Sequence, residues 1–212
     1  MTEIRAANDK AAVDQAVALL RKWDIVAFPT DTIYGIGASI THEAALQKIF
    51  TVKRRPTNKA IVVFVPDFRS LGNICTDLPA NAATISHHFW PGQLTIIFNK
   101  KETIPDWVTA GKPTVAVRIP NYSLCLDLTR RLGHPIAVTS ANVSSMPTPL
   151  TASGVAKELG DTIPLILDGG PSEHTKPSSL IDYTKKPPHL LREGLLTFSY
   201  LHPFIPDLQK MT

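Results

Sequence analysis

Residues 53–65 read KRRPTNKAIVVFV, and this stretch decides the architecture. Pro56 has no N–H to donate and clashes with a preceding helical turn, so a helix arriving from upstream must stop in the Lys53-Arg54-Arg55 run. That helix has Thr41 as its candidate cap and Leu46, Ile49 and Phe50 as its inward stripe. Residues 60–65, AIVVFV, are continuously apolar and mostly β-branched. Such a strand is buried on both faces, as in the centre of a sheet covered by helices. A helix running into a central strand predicts an α/β layer structure.

The same alternation continues outward. Asn8 is the candidate cap of a helix over 9–22, where Val13, Val17 and Leu20 recur at helical spacing and Ala12, Ala16 and Leu19 widen the face. DIVAF, 24–28, reads as a buried strand. It runs into FPTDTIYGIG, 28–37, where Thr30, Asp31, Thr32 and Tyr34 precede Gly35 and Gly37. This reads as a strand exit and a turn. Polar side chains there bind a ligand or simply make the turn, and both readings stand. Downstream, ANAATISHHF is expected as a helix ended by WPG, and LTIIF, TVAVRI, PIAV and PLILD as strands. SLCLDLTRRLG is a helix closed by Gly133, TASGVAKELG a short helix between Thr151 and Gly160, and SLIDY with HLLRE an antiparallel pair. Successive strands without helices between them need antiparallel neighbours, so the sheet is predicted to be mixed.

With 212 residues, 43% apolar and 19% charged, the chain can bury a large core and is not a disordered sequence. Its 22 Lys and Arg against 18 Asp and Glu leave a net charge of +4, which permits a nucleotide or nucleic-acid ligand without requiring one. Cys75 and Cys125 lie far apart and form neither a disulfide framework nor a zinc pair, as expected for thiols in a reducing compartment. The first twenty residues are charged throughout, unlike a signal peptide, and no apolar run reaches the ~18 residues of a membrane span. The cytoplasm is the expected location.

Several segments could carry chemistry. Lys53, Arg54 and Arg55, with Lys59 behind them, suit the negative end of a helix dipole, and they equally suit an anion clamp. In TVAVRIP, 114–120, alternation puts Thr114, Ala116 and Arg118 on one face. An Arg there needs water or an anion, and taken alone an ion pair with a neighbouring carboxylate is the simpler account. VTSANVSS, 138–145, offers hydroxyls and an Asn at a strand end, in a pattern equally typical of turns. Ser178 and Ser179 open a later strand, and Arg192 closes LLREG. There is no GxxxxGK[ST] loop, no complete dinucleotide fingerprint, no HExxH and no GxSxG, and His87 and His88 would diverge on a helix. A site rich in Arg, Lys, Ser, Thr and Asn binds and positions anions, which suits adenylyl transfer.

In order, FPTDTIYGIG, KRRPTNKAIVVFV, WPGQLTIIF, TVAVRIP, TSANVS and KPSSLID…LLREG resemble the YrdC-like family of threonylcarbamoyl-AMP synthases, over about residues 10–196. The resemblance implies a twisted, mixed α/β sheet flanked by helices, with a basic concave surface. It implies synthesis of threonylcarbamoyl-adenylate and pyrophosphate from L-threonine, bicarbonate and ATP. Magnesium would travel with ATP and no dedicated protein metal site is expected. The product would feed tRNA threonylcarbamoyl-transfer proteins that modify the adenosine beside the anticodon of ANN-decoding tRNAs. Carried over residue by residue, the family pattern places Thr32, Arg118, Ser140 and Ser178 on threonine. It places Arg55, Lys59, Thr114, Asn142 and Arg192 on the nucleotide, with Lys53 and Arg55 as the catalytic cations around the triphosphate. No general base is nominated. Lys59 stands where many relatives have Asn, Phe64 where longer members have His, and Ser145 where Gly usually follows SANxS; Leu150 falls at another nucleotide-contact position. The chain looks like the short type, with residues 1–197 as catalytic domain and 198–212 as a tail. The rival reading is an RNA-binding module of the same fold, or a relative with another substrate; KRRP and SAN favour the synthase.

Overall fold

In the computed structural model, which describes residues 2–211, strand β1 (Glu3–Ala6) leads into helix α1 (Lys10–Arg21). Asp9, not its neighbour Asn8, caps α1: the Asp9 backbone is extended and its carboxylate accepts from the Ala11 N–H at 2.9 Å. Strand β2 (Val26–Phe28) follows as expected. The next segment corrects the sequence reading. Gly35–Ser39 is not a turn but a second strand, β3, antiparallel to β2. Its glycines serve close packing: a Cβ on Gly35 would lie 2.9 Å from Val138, and one on Gly37 would lie 2.8 Å from the Phe28 ring.

Helix α2 (Glu43–Lys53) buries Leu46, Ile49 and Phe50 and stops where Arg54 turns left-handed at φ 49°, two residues before Pro56. His42 is its cap residue and makes no side-chain cap bond; the Thr41 hydroxyl instead lies 2.7 Å from the Ser39 hydroxyl. The remaining elements are β4 (Val62–Phe64), β5 (Cys75–Thr76), α3 (Ala82–Phe89), β6 (Leu94–Lys100), α4 (Asp106–Thr109), β7 (Thr114–Arg118) and α5 (Ser123–Leu132). They continue through β8 (Ile136–Ser140), α6 (Ala152–Leu159), β9 (Leu165–Asp168), β10 (Ser179–Asp182), β11 (His189–Arg192), α7 (Phe198–Leu201) and β12 (Gln209–Lys210). Gly133 closes α5 at φ 83°, and the Thr151 hydroxyl caps α6 on Gly154 N–H.

The strands form one twisted mixed sheet in the order β1-β9-β2-β3-β8-β4-β7-β6-β10-β11-β12, with β5 on β6. The pairs β1–β9, β9–β2, β4–β7, β6–β10 and β11–β12 are parallel; the others are antiparallel. The stretch after Arg192 joins this body: β12 extends the sheet, and Leu201, Ile205 and Leu208 are buried in the main core.

Alternation divides the strand side chains between two faces. On one face Ile36, Val63, Ile96, Val115, Val117 and Ile181 pack against helices α2, α3, α4 and α6. On the other, α1 and α5 cover Val26, Phe28, Ile136, Leu165 and Leu167. That second cover ends near Phe64 and Val138, beyond which the sheet face is left open toward β7, β6 and β10. The open face is where the polar residues gather.

Candidate active site

A cleft of about 440 Å³ occupies the open face. Its floor is Val62, Phe64, Ile97, Ala116, Val138 and Leu180. Arg55, Lys59, Lys112, Arg118 and Arg192 line it with Thr32, Ser140 and Ser178, and no Asp or Glu lines it among the described residues. Cations without lining carboxylates, close to apolar surface, bind anions strongly because water screens them poorly.

One wall is a chain of hydroxyls ending on Arg118. The Thr30 hydroxyl donates to Ile33 O at 2.8 Å, so at the 2.9 Å contact between Thr30 and Thr32 the proton must come from Thr32. Thr32 Oγ1 in turn accepts from Arg118 Nη1 at 3.2 Å. Arg118 also donates through Nε to Gly92 O at 2.9 Å and through Nη2 to Asp31 at 2.7 Å, and it lies 5.6 Å from the centre of the Phe64 ring. The guanidinium is thereby fixed while one N–H on each Nη stays uncommitted. Sequence reasoning noticed Asp31 but gave it no role; its partner lies 87 positions away.

The opposite wall centres on Ser178, whose hydroxyl lies 2.7 Å from that of Thr95. Arg192 clasps the same residue, with Nε donating to Ser178 O at 3.0 Å and Nη2 to the Ser178 hydroxyl at 3.3 Å. Gly194 makes the clasp sterically possible, since a Cβ there would lie 2.2 Å from Pro177 O. Burial lowers the Arg192 pKa below the ordinary guanidinium range, and the charges of Arg118 and Arg55 push it the same way. Three guanidiniums thus repel one another across a single cleft, an arrangement that an anion relieves.

Arg55 donates through Nη2 to Ala60 O at 2.8 Å, its Nε is buried without a partner, and burial lowers its pKa. Lys59 is exposed at the rim. The other motif residues sit elsewhere. Lys53 does not line the cleft: it is 1% exposed, and Nζ donates to Ser140 O, to Asn142 O at 2.6 Å and to Asn142 Oδ1 at 3.3 Å. Asn142 is also turned inward, with Nδ2 donating to Val143 O and Met146 O and Oδ1 accepting from the Ser140 hydroxyl. Lys53 therefore holds the 140–146 turn from below, where the motif alone suggested a phosphate ligand. Burial pushes its pKa down to about 7, helped by the Arg55 charge and opposed by Glu158. Glu158 accepts from Val143 N–H at 2.7 Å in the same turn. Ser145 stands at φ 73°, the left-handed region where glycine is favoured. Thr114 opens β7, paired with Asn99, outside the cleft lining. Leu150 is likewise outside, its carbonyl accepting from Ser172 N–H at 2.7 Å. Lys112 and Asn58, which the motifs did not single out, do line the cleft.

A Pyrococcus abyssi protein named threonylcarbamoyl-AMP synthase is 37% identical over 194 residues, covering 92% of this chain and 57% of that protein. A Bacillus subtilis protein of the same name is 40% identical over 198 residues, covering 93% and 57%. The crystal structure of P. abyssi Sua5 complexed with L-threonine superposes with a TM-score of 0.94 at 33% identity, covering all of this chain and 62% of that one. The chain spans less than two thirds of the length of each of these proteins. The model of the Sua5/YciO/YrdC family, described as "Telomere recombination", matches residues 18–194. On fold, motif order and extent of match, the chain belongs to the Sua5/YciO/YrdC family.

Proposed function

We propose that the chain is an L-threonylcarbamoyladenylate synthase, forming threonylcarbamoyl-AMP and pyrophosphate from L-threonine, bicarbonate and ATP. The observation that carries this reading is the convergence of Arg55, Arg118 and Arg192 on one cleft that also presents Thr32, Ser140 and Ser178. Similarity to a protein crystallised with L-threonine supports placing threonine there.

The threonine carboxylate would take the uncommitted N–H groups of Arg118, with the hydroxyls of Ser178, Thr32 and Ser140 around the rest of the molecule. The threonine amine adds to carbon dioxide derived from bicarbonate, losing a proton and giving a carbamate. A carbamate oxygen attacks the α-phosphorus of ATP, the bond to the bridging oxygen breaks, and pyrophosphate leaves with that electron pair. Arg55 and Arg192 would bind the phosphates and offset the charge on the leaving group, with Lys59 at the rim. Magnesium would travel with ATP, as the cleft is lined by cations and hydroxyls and, among the described residues, by no carboxylate. Lys53 and Asn142 would act from behind, fixing the turn that carries Ser140. Thr114 at the start of β7 remains the proposed nucleotide contact toward the open end of the face.

Every residue given a role lies between Thr32 and Arg192, within the proposed catalytic region 1–197. The product would pass to proteins that transfer the threonylcarbamoyl group to tRNA, in the cytoplasm. No helix among the described residues is long and apolar enough to cross a membrane. Release of pyrophosphate that requires both threonine and bicarbonate tests the proposal. Tight RNA binding without turnover would instead support the binding-module reading.

A further inference from the structure

We propose that Lys112 holds the terminal phosphates of ATP in the cleft and, after transfer, the departing pyrophosphate. The inference rests on the synthase reading for its substrate. Lys112 lines the cleft with Asn58 and Lys59. Among the described residues, Lys59 and Lys112 donate only through the backbone, to Pro56 O and Thr109 O, both at 3.2 Å. Both ammonium groups are therefore free. The other cations of the cleft are engaged: Arg118 by Asp31, Thr32 and Gly92, Arg192 by Ser178, and Arg55 by Ala60 O. The nearest carboxylate along the chain, Asp106, is held by Lys100 Nζ. Free ammonium groups at the edge of a cleft lined by no carboxylate call for a ligand anion.

The backbone presents Lys112 rigidly. Ala110 at φ 54°, ψ 42° and Gly111 at φ 73° are both left-handed, and the Lys112 N–H closes this turn on Thr109 O. Glycine takes such a conformation freely, whereas alanine takes it at a cost, and backbone strain of this kind collects at ligand sites. Pro113 then restricts Lys112 to extended backbone, and the Pro113 carbonyl accepts from Lys100 N–H at 3.0 Å. The main chain is thus fixed on both sides of a lysine whose charge has no protein partner.

Strand register puts that charge at the phosphate end of the cleft. Strands β4 and β7 run parallel with Val63 beside Val117, so residues 58–61 run alongside residues 112–115. Arg118 ends β7, roughly 20 Å of extended chain from Lys112. In-line attack at the α-phosphorus sets the carbamate and the leaving pyrophosphate on opposite sides of that atom. With the threonine carboxylate on Arg118, the β- and γ-phosphates extend toward Lys59 and Lys112. A point charge on a flexible stem suits a group that must be held and then released.

The test is calorimetric titration of the full chain with ATP and, separately, with AMP, both with magnesium and without threonine, so that no turnover enters. Wild type should bind ATP more tightly than AMP. Lys112→Gln should weaken ATP about tenfold and leave AMP within about twofold, because AMP lacks the phosphates assigned to Lys112. Lys112→Arg, which keeps the charge, should bind ATP within about threefold of wild type. Unchanged ATP affinity in Lys112→Gln, equal loss of ATP and AMP, or an arginine variant as weak as the glutamine one overturns the assignment, as does a wild type that binds both nucleotides alike. The synthase reading fails separately, through threonine-independent ATP cleavage by wild type.

Discussion

Arg118 and Asp31, 87 positions apart, form an ion pair of 2.7 Å in which only 4% and 8% of the side chains are exposed. The pair orients Arg118 so that its remaining N–H groups, rather than its whole fork, serve the cleft. A buried pair of this kind contributes orientation more reliably than net stability, yet breaking it by removing one partner is costly. Asp31→Ala is expected to lower unfolding free energy by about 3–5 kcal/mol in urea titration. A loss below about 1 kcal/mol would show that the pair is not closed in solution.

Arg55 and Arg192 approach the proposed phosphate region from the segment after α2 and from β11. Loss of a charged partner of the transition state costs roughly 2.7–4 kcal/mol, a rate factor of about 10²–10³. Arg55→Ala and Arg192→Ala are expected to lose turnover by that factor and keep their folded spectra. Near-normal turnover in either variant, at ordinary ATP concentrations, removes that residue from the site.

Lys53 yields a pH dependence with a definite sign. Its folded pKa of about 7 lies below the ordinary value of 10.5, so between those values the unfolded chain binds more protons and the contribution of Lys53 to stability rises with pH. Lys53→Met removes this titration. Urea denaturation of both proteins at about pH 7 and pH 9 should show wild type gaining on the variant as pH rises. A difference that stays flat across this window contradicts the lowered pKa of Lys53.

Ser145 supplies a stability prediction free of the chemistry. At φ 73° a side chain is disfavoured by roughly 1–2 kcal/mol, part of which the greater freedom of an unfolded glycine offsets. Ser145→Gly should therefore raise unfolding free energy by up to about 1 kcal/mol. A less stable variant would show that the hydroxyl holds the turn.

Much of this arrangement is legible in the sequence because it rests on local chemistry. The AIVVFV run, the Leu46-Ile49-Phe50 stripe, the Thr151 cap and the Gly133 stop each follow from residues within one element. What escapes is set by neighbours distant in the chain. Gly35 and Gly37 look like a turn, yet they lie in β3 because Val138 and Phe28 fill the space above them. Thr41 and Asn8 are good cap candidates, but Thr41 engages Ser39 and the adjacent Asp9 is the residue that reaches Ala11. Lys53 and Arg55 sit two apart in one motif, and the left-handed Arg54 between them sends one under the 140–146 turn and the other into the cleft.

In the proposed reaction ATP is cleaved only to activate a threonine carbamate. The free amine would not be the nucleophile, and the carbamate would need a carbon dioxide source, so no single substrate would suffice. The most direct measurement is pyrophosphate release by the purified chain with threonine, bicarbonate, ATP or RNA left out in turn. Release that requires threonine, bicarbonate and ATP together, and proceeds without RNA, is the predicted result; threonine-independent ATP cleavage, or no release under any combination, would contradict it.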